Sequence, residues 1–362
     1  EMEAQAKICE RSPSLATVTM TPSSRASRET ALPAGQAFSK DVVVILWNTT
    51  DLASKVRGVI AVLCGGVGAA RLLRALRTEM NESEIVAIVN VGDDLTLHGL
   101  MICPDIDTIT YTLGGLNDDE RGWGLKDETW RAMARLGELG GESWFSLGDQ
   151  DLATHLYRTQ RLHEGASKSE VTRELAEKRG LLLSLLPASN DEIATRLDTE
   201  VGDLSFQEYF VKHHHGVVTS AVRYVGGTTA RPAPGVIDAL RSASRIVIAP
   251  SNPILSIQPM LEMPEVASVL RERRDDVVAV TPLIGGAALK GPADRLMVEL
   301  GHESSNAGIA KYYAPYAATL IIDEEDADTA SAVEAAGMRA VITTTVMANP
   351  LHAAALAREV LA

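Results

Sequence analysis

Hydrophobic residues in this chain gather in short unbroken runs, each closed by glycine, proline or small polar residues and followed by a stretch with helical spacing. Val59-Ile60-Ala61-Val62-Leu63 enters Cys64-Gly65-Gly66-Val67-Gly68 and then a helix. The run 85–89 leads into Asn90-Val91-Gly92-Asp93-Asp94, the run 245–249 ends in Pro250-Ser251-Asn252-Pro253, and the run 277–280 opens onto Thr281-Pro282-Leu283. Residues 319–336 and 340–361 read as two further strand-helix units. Runs this apolar mark strands buried on both faces, and their alternation with helices predicts an α/β fold, a doubly wound, mostly parallel Rossmann-like sheet of about seven strands. The pattern changes from 167 to 235: a charged helix over 168–179 ends at Gly180, and alternating runs over 193–199 and 217–225 predict an inserted smaller α+β segment. Asp149 is expected to cap a helix through Leu152, Leu156 and Leu162.

The resulting division places an extension at 1–55, a nucleotide- and metal-binding first half of the core at 56–150, a peripheral or inserted segment at 151–240, and the second half at 241–362. Residues 12–28 are rich in Ser, Thr, Pro and Ala, and are expected not to bury enough to offset their ordering entropy. Glu1, Glu3 and Glu10 make the start acidic, unlike a transit peptide, and the catalytic fold is expected to begin near Val56. The run 41–47 reads as a strand with no obvious partner.

With 362 residues a large core is available, and the formal charge of −14 argues against nucleic acid, whose binding depends on basic surface. Cys9, Cys64 and Cys103 show neither zinc spacing nor an even count for a disulfide framework. No apolar run approaches the ~20 residues that span a bilayer. A cytoplasmic protein without a membrane partner is expected.

Chemistry concentrates where the strand runs end, since ligands of open α/β sheets sit at the carboxyl ends of the strands. Gly65, Gly66 and Gly68 offer backbone amides at a helix start, which suit phosphate, although strand-to-helix glycines also serve close packing alone. The turn is no P-loop, and Arg71 stands where a dinucleotide fingerprint has its third glycine, which weakens a nicotinamide reading. Asp93 and Asp94 repel each other unless a cation or solvent relieves them, and Mg2+ takes one or two carboxylates from protein and the rest from phosphate and water. Asp105 and Asp107 follow Pro104 on a predicted first helical turn, where an acid either complements the helix dipole or points into the crevice; the bland role suits Asp105 better. His98 reads equally as a base and as a structural imidazole.

Further along, Trp123, Trp130 and Trp144 crowd a stretch of a chain that is only 4% aromatic, so they are either a stacking surface for a planar ligand or ordinary core. His155 and Arg158 share one helix face. The His213-His214-His215 run splays in different directions and reads as a solvated loop. Ser251 and Asn252 mark another strand end, and Lys290 precedes a helix start where it can meet a phosphate.

In this order and spacing, Gly65-Gly66-Val67-Gly68, Asn90-Val91-Gly92-Asp93-Asp94, Pro104-Asp105-Ile106-Asp107-Thr108, Gly122-Trp123-Gly124, Leu147-Gly148-Asp149 with Ala153-Thr154-His155, Phe206-Gln207-Glu208-Tyr209, Pro250-Ser251-Asn252-Pro253 and Lys290-Gly291-Pro292-Ala293 are specific. The chain resembles, over nearly all of 58–350, the 2-phospho-L-lactate or phosphoenolpyruvate transferases of coenzyme F-420 biosynthesis. The resemblance implies transfer of a phosphoenolpyruvyl or 2-phospho-L-lactyl group from a guanosine diphosphate-linked donor to 7,8-didemethyl-8-hydroxy-5-deazariboflavin (Fo), releasing GMP. It implies Mg2+ on Asp93 and Asp107 with Asp94 beside them, and donor phosphates on Gly65, Gly66 and Gly68 near Asn90. Guanosine would lie by Ser251 and Asn252, the deazaflavin by Trp123, Phe145 and Ser146, and the molecule would be a homodimer. The proton acceptor stays open between His98 and a metal-held carboxylate. The rival reading is a non-catalytic nucleotide-sugar-binding regulator on the same fold.

Overall fold

The computed structural model describes residues 58–362; the expectations for the extension, including the run 41–47 and Cys9, lie outside the described residues. Seven strands form one sheet: β1 (Ile60–Cys64), β2 (Ile85–Val89), β3 (Ser184–Pro187), β4 (Arg245–Ile248), β5 (Val277–Val280), β6 (Thr319–Ile322) and β7 (Arg339–Ile342). Every neighbouring pair is parallel, in the order β7-β6-β5-β4-β1-β2-β3. The predicted doubly wound fold is the one observed. Strands β1, β4, β5 and β6 are covered on both faces, which explains their unbroken apolar sequences.

The chain leaves β1 toward β2 and β3, then crosses back to place β4 on the other side of β1. That reversal separates the carboxyl ends of β1 and β4, and a crevice opens there. Helix α1 (Gly66–Glu79) starts at this point, presents Ala69, Leu72, Leu73 and Leu76 to the core, and packs against α2 (Pro104–Leu113) and the C-terminal helix Pro350–Leu361. After β2 a hairpin, Leu95–Leu97 with Leu100–Ile102, turns at His98-Gly99, both with positive φ (55° and 76°). Helices α3 (Arg131–Glu138), α4 (Asp149–His163) and α5 (Lys168–Lys178) follow.

Two details differ from the periodicity. Asp149 starts α4, but its carboxylate accepts the Arg131 and Ala132 amides (3.1 and 3.0 Å), so it satisfies the orphan donors of α3 instead. Strand β3 lies within the segment expected to be peripheral, yet it is the edge of the main sheet. It is four residues long and ends in a proline, too short to give a periodic signal. The rest of that segment does form a small antiparallel sheet, Gly202–Ser205, Ala194–Thr199 and Thr219–Val225.

The turn from β1 into α1 is tightly built. Gly66 adopts φ 73°, open to glycine at little cost, and a Cβ on Gly68 would run into the Pro250 carbonyl oxygen at the end of β4. Gly68→Ala should therefore lower stability by about 1–3 kcal/mol, seen as a lower urea midpoint at unchanged slope.

Candidate functional site

Four carboxylates from two neighbouring loops meet at the carboxyl ends of β1 and β2. Asp93 and Asp94 follow β2, and Asp105 and Asp107 sit on the first turn of α2, behind Pro104. Residues two apart on a helix point about 200° apart, so Asp105 and Asp107 face different surroundings. Asp105 faces the glycine turn: its Oδ1 accepts the Gly66 amide (2.7 Å) and its Oδ2 accepts the Asn90 side-chain amide (2.9 Å). The same Asn90 nitrogen lies 3.4 Å from Asp93 Oδ1, while Asp93 Oδ2 accepts the Asp105 backbone amide (3.1 Å). Asn90 is itself set by accepting the Gly92 amide at 2.9 Å.

The other two acids are matched with cations. Asp94 accepts a 2.6 Å hydrogen bond from Lys168 at the start of α5, both side chains 9% exposed. Asp107 takes both of its oxygens to the Arg158 guanidinium of α4, with Nη1 to Oδ2 at 3.0 Å and Nη2 to Oδ1 closing the pair. Arg158 also contacts His155 Nδ1 (3.2 Å); a guanidinium only donates, so Nδ1 is the acceptor and the ring proton is on Nε2, 3.2 Å from Asp151 Oδ2 but off a good hydrogen-bonding line. Tyr111 donates to the other Asp151 oxygen. Asp107, Asp151 and His155 bring ligand atoms within 4.8 Å of one another, but Arg158 already supplies the positive charge there.

Asp93 and Asp105 make no ion pair with another described residue. Burial pushes the Asp93 carboxyl well above the usual range, with the charges of Asp105 and Asp94 adding to it. Burial likewise lifts Asp105 to about 6, against the pull of the Asn90 and Gly66 hydrogen bonds. A buried, facing carboxylate pair whose ionisation is opposed on both sides fits a divalent cation with oxygen ligands. The resemblance put Asp107 in this role; the structure gives Asp107 to Arg158 and brings Asp105 to Asp93. Asp105 had been read as a dipole partner because spacing alone cannot say which of two turn acids faces the crevice.

Of the other expected site residues, Ser251 bridges the ends of β4 and β1, its Oγ donating to Gly65 O (2.9 Å) and accepting Gly65 N (3.3 Å). Asn252 Oδ1 caps the following short helix through the Ile254 and Leu255 amides (both 3.0 Å). His98 is exposed at the hairpin tip and bonds to none of these side chains. Phe145 packs on the small cluster of Leu97, Ile102, Met133 and Leu147, and Ser146 is exposed beside it.

A cavity opens alongside α1 and α2, lined by Arg71, Thr108, Tyr111, Asn117, Asp119 and Trp123 among others. Trp123 is 48% exposed on a loop whose flanking glycines, 122 and 124, both have positive φ. Behind it Arg121 lies between the Trp123 and Trp130 rings, 5.0 and 4.7 Å from their centroids, and is anchored to Asp118. The Arg121 guanidinium covers one face of the Trp123 ring, and Trp123 itself lines the cavity. Lys290, from the second half of the chain, brings Nζ to 2.7 Å from where a Gly122 Cβ would be.

The family model described as 2-phospho-L-lactate transferase CofD matches residues 60–351. The chain belongs to this family. Phosphoenolpyruvate transferases of Streptomyces griseus and Nocardia farcinica are 41% and 39% identical to it, covering 83% and 86% of this chain and 97% and 96% of their own lengths. The protein BH3568 of Bacillus halodurans shares the fold at TM-score 0.55 and 17% identity, covering 84% of this chain and all of that one. This CofD-family chain is thus a transferase, and no helix among its described residues is long and apolar enough to cross a membrane.

Two measurements check the electrostatics. An acid whose folded pKa is raised binds more protons folded than unfolded, so without divalent cation stability should fall as pH rises from about 4 to 6, the window set by Asp105, and Asp105→Asn should flatten that decline in chemical denaturation. Lys168→Met, which strands Asp94, should cost about 3–5 kcal/mol, and adding Asp94→Leu should recover much of it.

Proposed function

We propose that this protein transfers the phosphoenolpyruvyl group of a guanosine diphosphate-linked donor to the ribityl hydroxyl of Fo, releasing GMP, as a step in building coenzyme F-420. The name of the relatives at about 40% identity favours the enolpyruvyl over the 2-phospho-L-lactyl donor. The observation that carries the reading is the bare pair Asp93–Asp105 placed against the amide of Gly66 at the switch point of the sheet. Attack on a diphosphate needs charge neutralisation and alignment more than covalent catalysis. Asp93 and Asp105 would hold Mg2+, which when bound supplies the positive charge that a diphosphate and two buried carboxylates share.

In this reading the hydroxyl oxygen bonds to the phosphorus bearing the enolpyruvyl group, the bridging P–O bond to guanylate breaks, and GMP leaves with the electron pair. Asn90 keeps Asp93 and Asp105 facing one another. Ser251 and Asp105 take the Gly65 and Gly66 amides, so the Gly68 amide, an orphan donor in the first turn of α1, would orient the donor's phosphates. Asp107, held at both oxygens by Arg158, is a fixed acceptor for a hydroxyl rather than a metal ligand. The hydroxyl proton leaves late in a loose transition state and passes to water or to a phosphate oxygen of the departing GMP, so no strongly basic side chain is needed.

The test is GMP release from wild-type protein with enolpyruvyl donor, Fo and Mg2+. Asp93→Asn and Asp105→Asn should each lower kcat at least about 100-fold while thermal unfolding stays cooperative. Nucleotide binding with no GMP release and no change in the Fo spectrum would replace this reading with the regulator.

A further inference from the structure

The cavity beside Trp123 holds a cation that the protein leaves unspent. The Arg71 side chain is half-buried in its wall and makes no ion pair, hydrogen bond or ring contact with another described residue. Of the neighbouring cations, Arg158 pairs with Asp107, Lys168 with Asp94, Arg121 with Asp118 and Arg74 with Asp119 at 3.7 Å, while Lys290 stands exposed at the rim, where solvent screens its charge. An unpaired guanidinium lining the same cavity as an indole braced by Arg121, in a chain of net charge −14, is a site for an anionic oxygen on a flat ligand.

Position separates this ligand from the donor's phosphates. Arg71 is five residues beyond Gly66, about 7 Å along α1, and the Thr108 and Tyr111 walls lie one to two turns into α2. The cavity runs from Val67 in the first turn of α1 along the flanks of both helices to the Trp123 loop, so its Arg71 and Trp123 end lies away from the amino termini, where phosphate is favoured. It suits the part of a substrate farthest from the reacting atoms, and in the acceptor that part is the ring. The ring hydroxyl of Fo is conjugated to electron-withdrawing carbonyls, which makes it more acidic than the tyrosine phenol, whose pKa is about 10.

We propose that Arg71 is a specificity-determining residue that binds the acceptor ring as its hydroxyl-deprotonated anion, with the ring stacked on Trp123. This rests on the transferase reading above. The other charged and titratable groups facing the cavity do not supply that contact. Asp119 is acidic and faces Arg74, Tyr111 donates to Asp151 and has Arg179 stacked on it at 5.1 Å, and Lys290 lies over Gly122 at the rim.

The experiment is absorbance titration of Fo from pH 5 to 9, free and bound to the full chain, with KM for acceptor and donor measured alongside. Bound to wild type, the ring should ionise at least one pH unit below the free compound. R71Q should abolish that shift and raise acceptor KM about tenfold at neutral pH while leaving donor KM unchanged, one unit being tenfold in binding. R71K should retain part of the shift, and matching thermal unfolding of the two variants separates charge from folding. An R71Q protein with wild-type acceptor ionisation, or one that changes donor KM instead, overturns this proposal and leaves the proposed function standing. Wild type that neither binds Fo nor releases GMP overturns both.

Discussion

Desolvation of carboxylates is the constraint around which this molecule is arranged. Four aspartates are buried where two parallel strands end, and an ionised carboxylate in such a place is costly unless something positive meets it. The protein meets two of them itself, with Lys168 and Arg158. The remaining pair, Asp93 and Asp105, has only Asn90 and backbone amides, which ease the charge without cancelling it. The fold thus neutralises half of the cluster with its own cations and leaves the other half facing a glycine turn.

That division follows from helix geometry. Asp105 and Asp107 are two positions apart on α2, so one turns to the crevice and the other to α4. The helices α4 and α5 come from outside the first βα units, yet they supply the charges that hold Asp94 and Asp107 in place. The Arg158 clamp is further confined by His155, whose Nδ1 accepts a hydrogen bond from it, and by Asp151 and Tyr111 beyond it. Apart from His155 Nε2, which lacks a well-aligned partner, this buried network matches donors with acceptors and ties the first turn of α2 to α4.

On the other flank the site is built from stacking rather than charge pairing. Two tryptophans enclose Arg121, and glycines with positive φ let the loop bring Trp123 over the cavity. The acidic crevice and the aromatic cavity share α1 and α2 as their common wall.

Much of this was legible in the chain. Unbroken apolar runs alternating with helices fit a covered parallel sheet, so the fold class and the strand ends carrying Gly65, Asp93 and Ser251 followed from local pattern, while the strand order and its switch point came from the structure. The acids themselves were visible too, as were His155 and Arg158 on one helix face. What sequence spacing could not decide was which carboxylate meets which charge: Lys168 is 74 residues from Asp94 and Arg158 is 51 from Asp107. Ion pairing depends on distance in space, and only the packing of α4 and α5 on the core determined that Asp107 is spoken for and Asp105 is the one left facing Asp93.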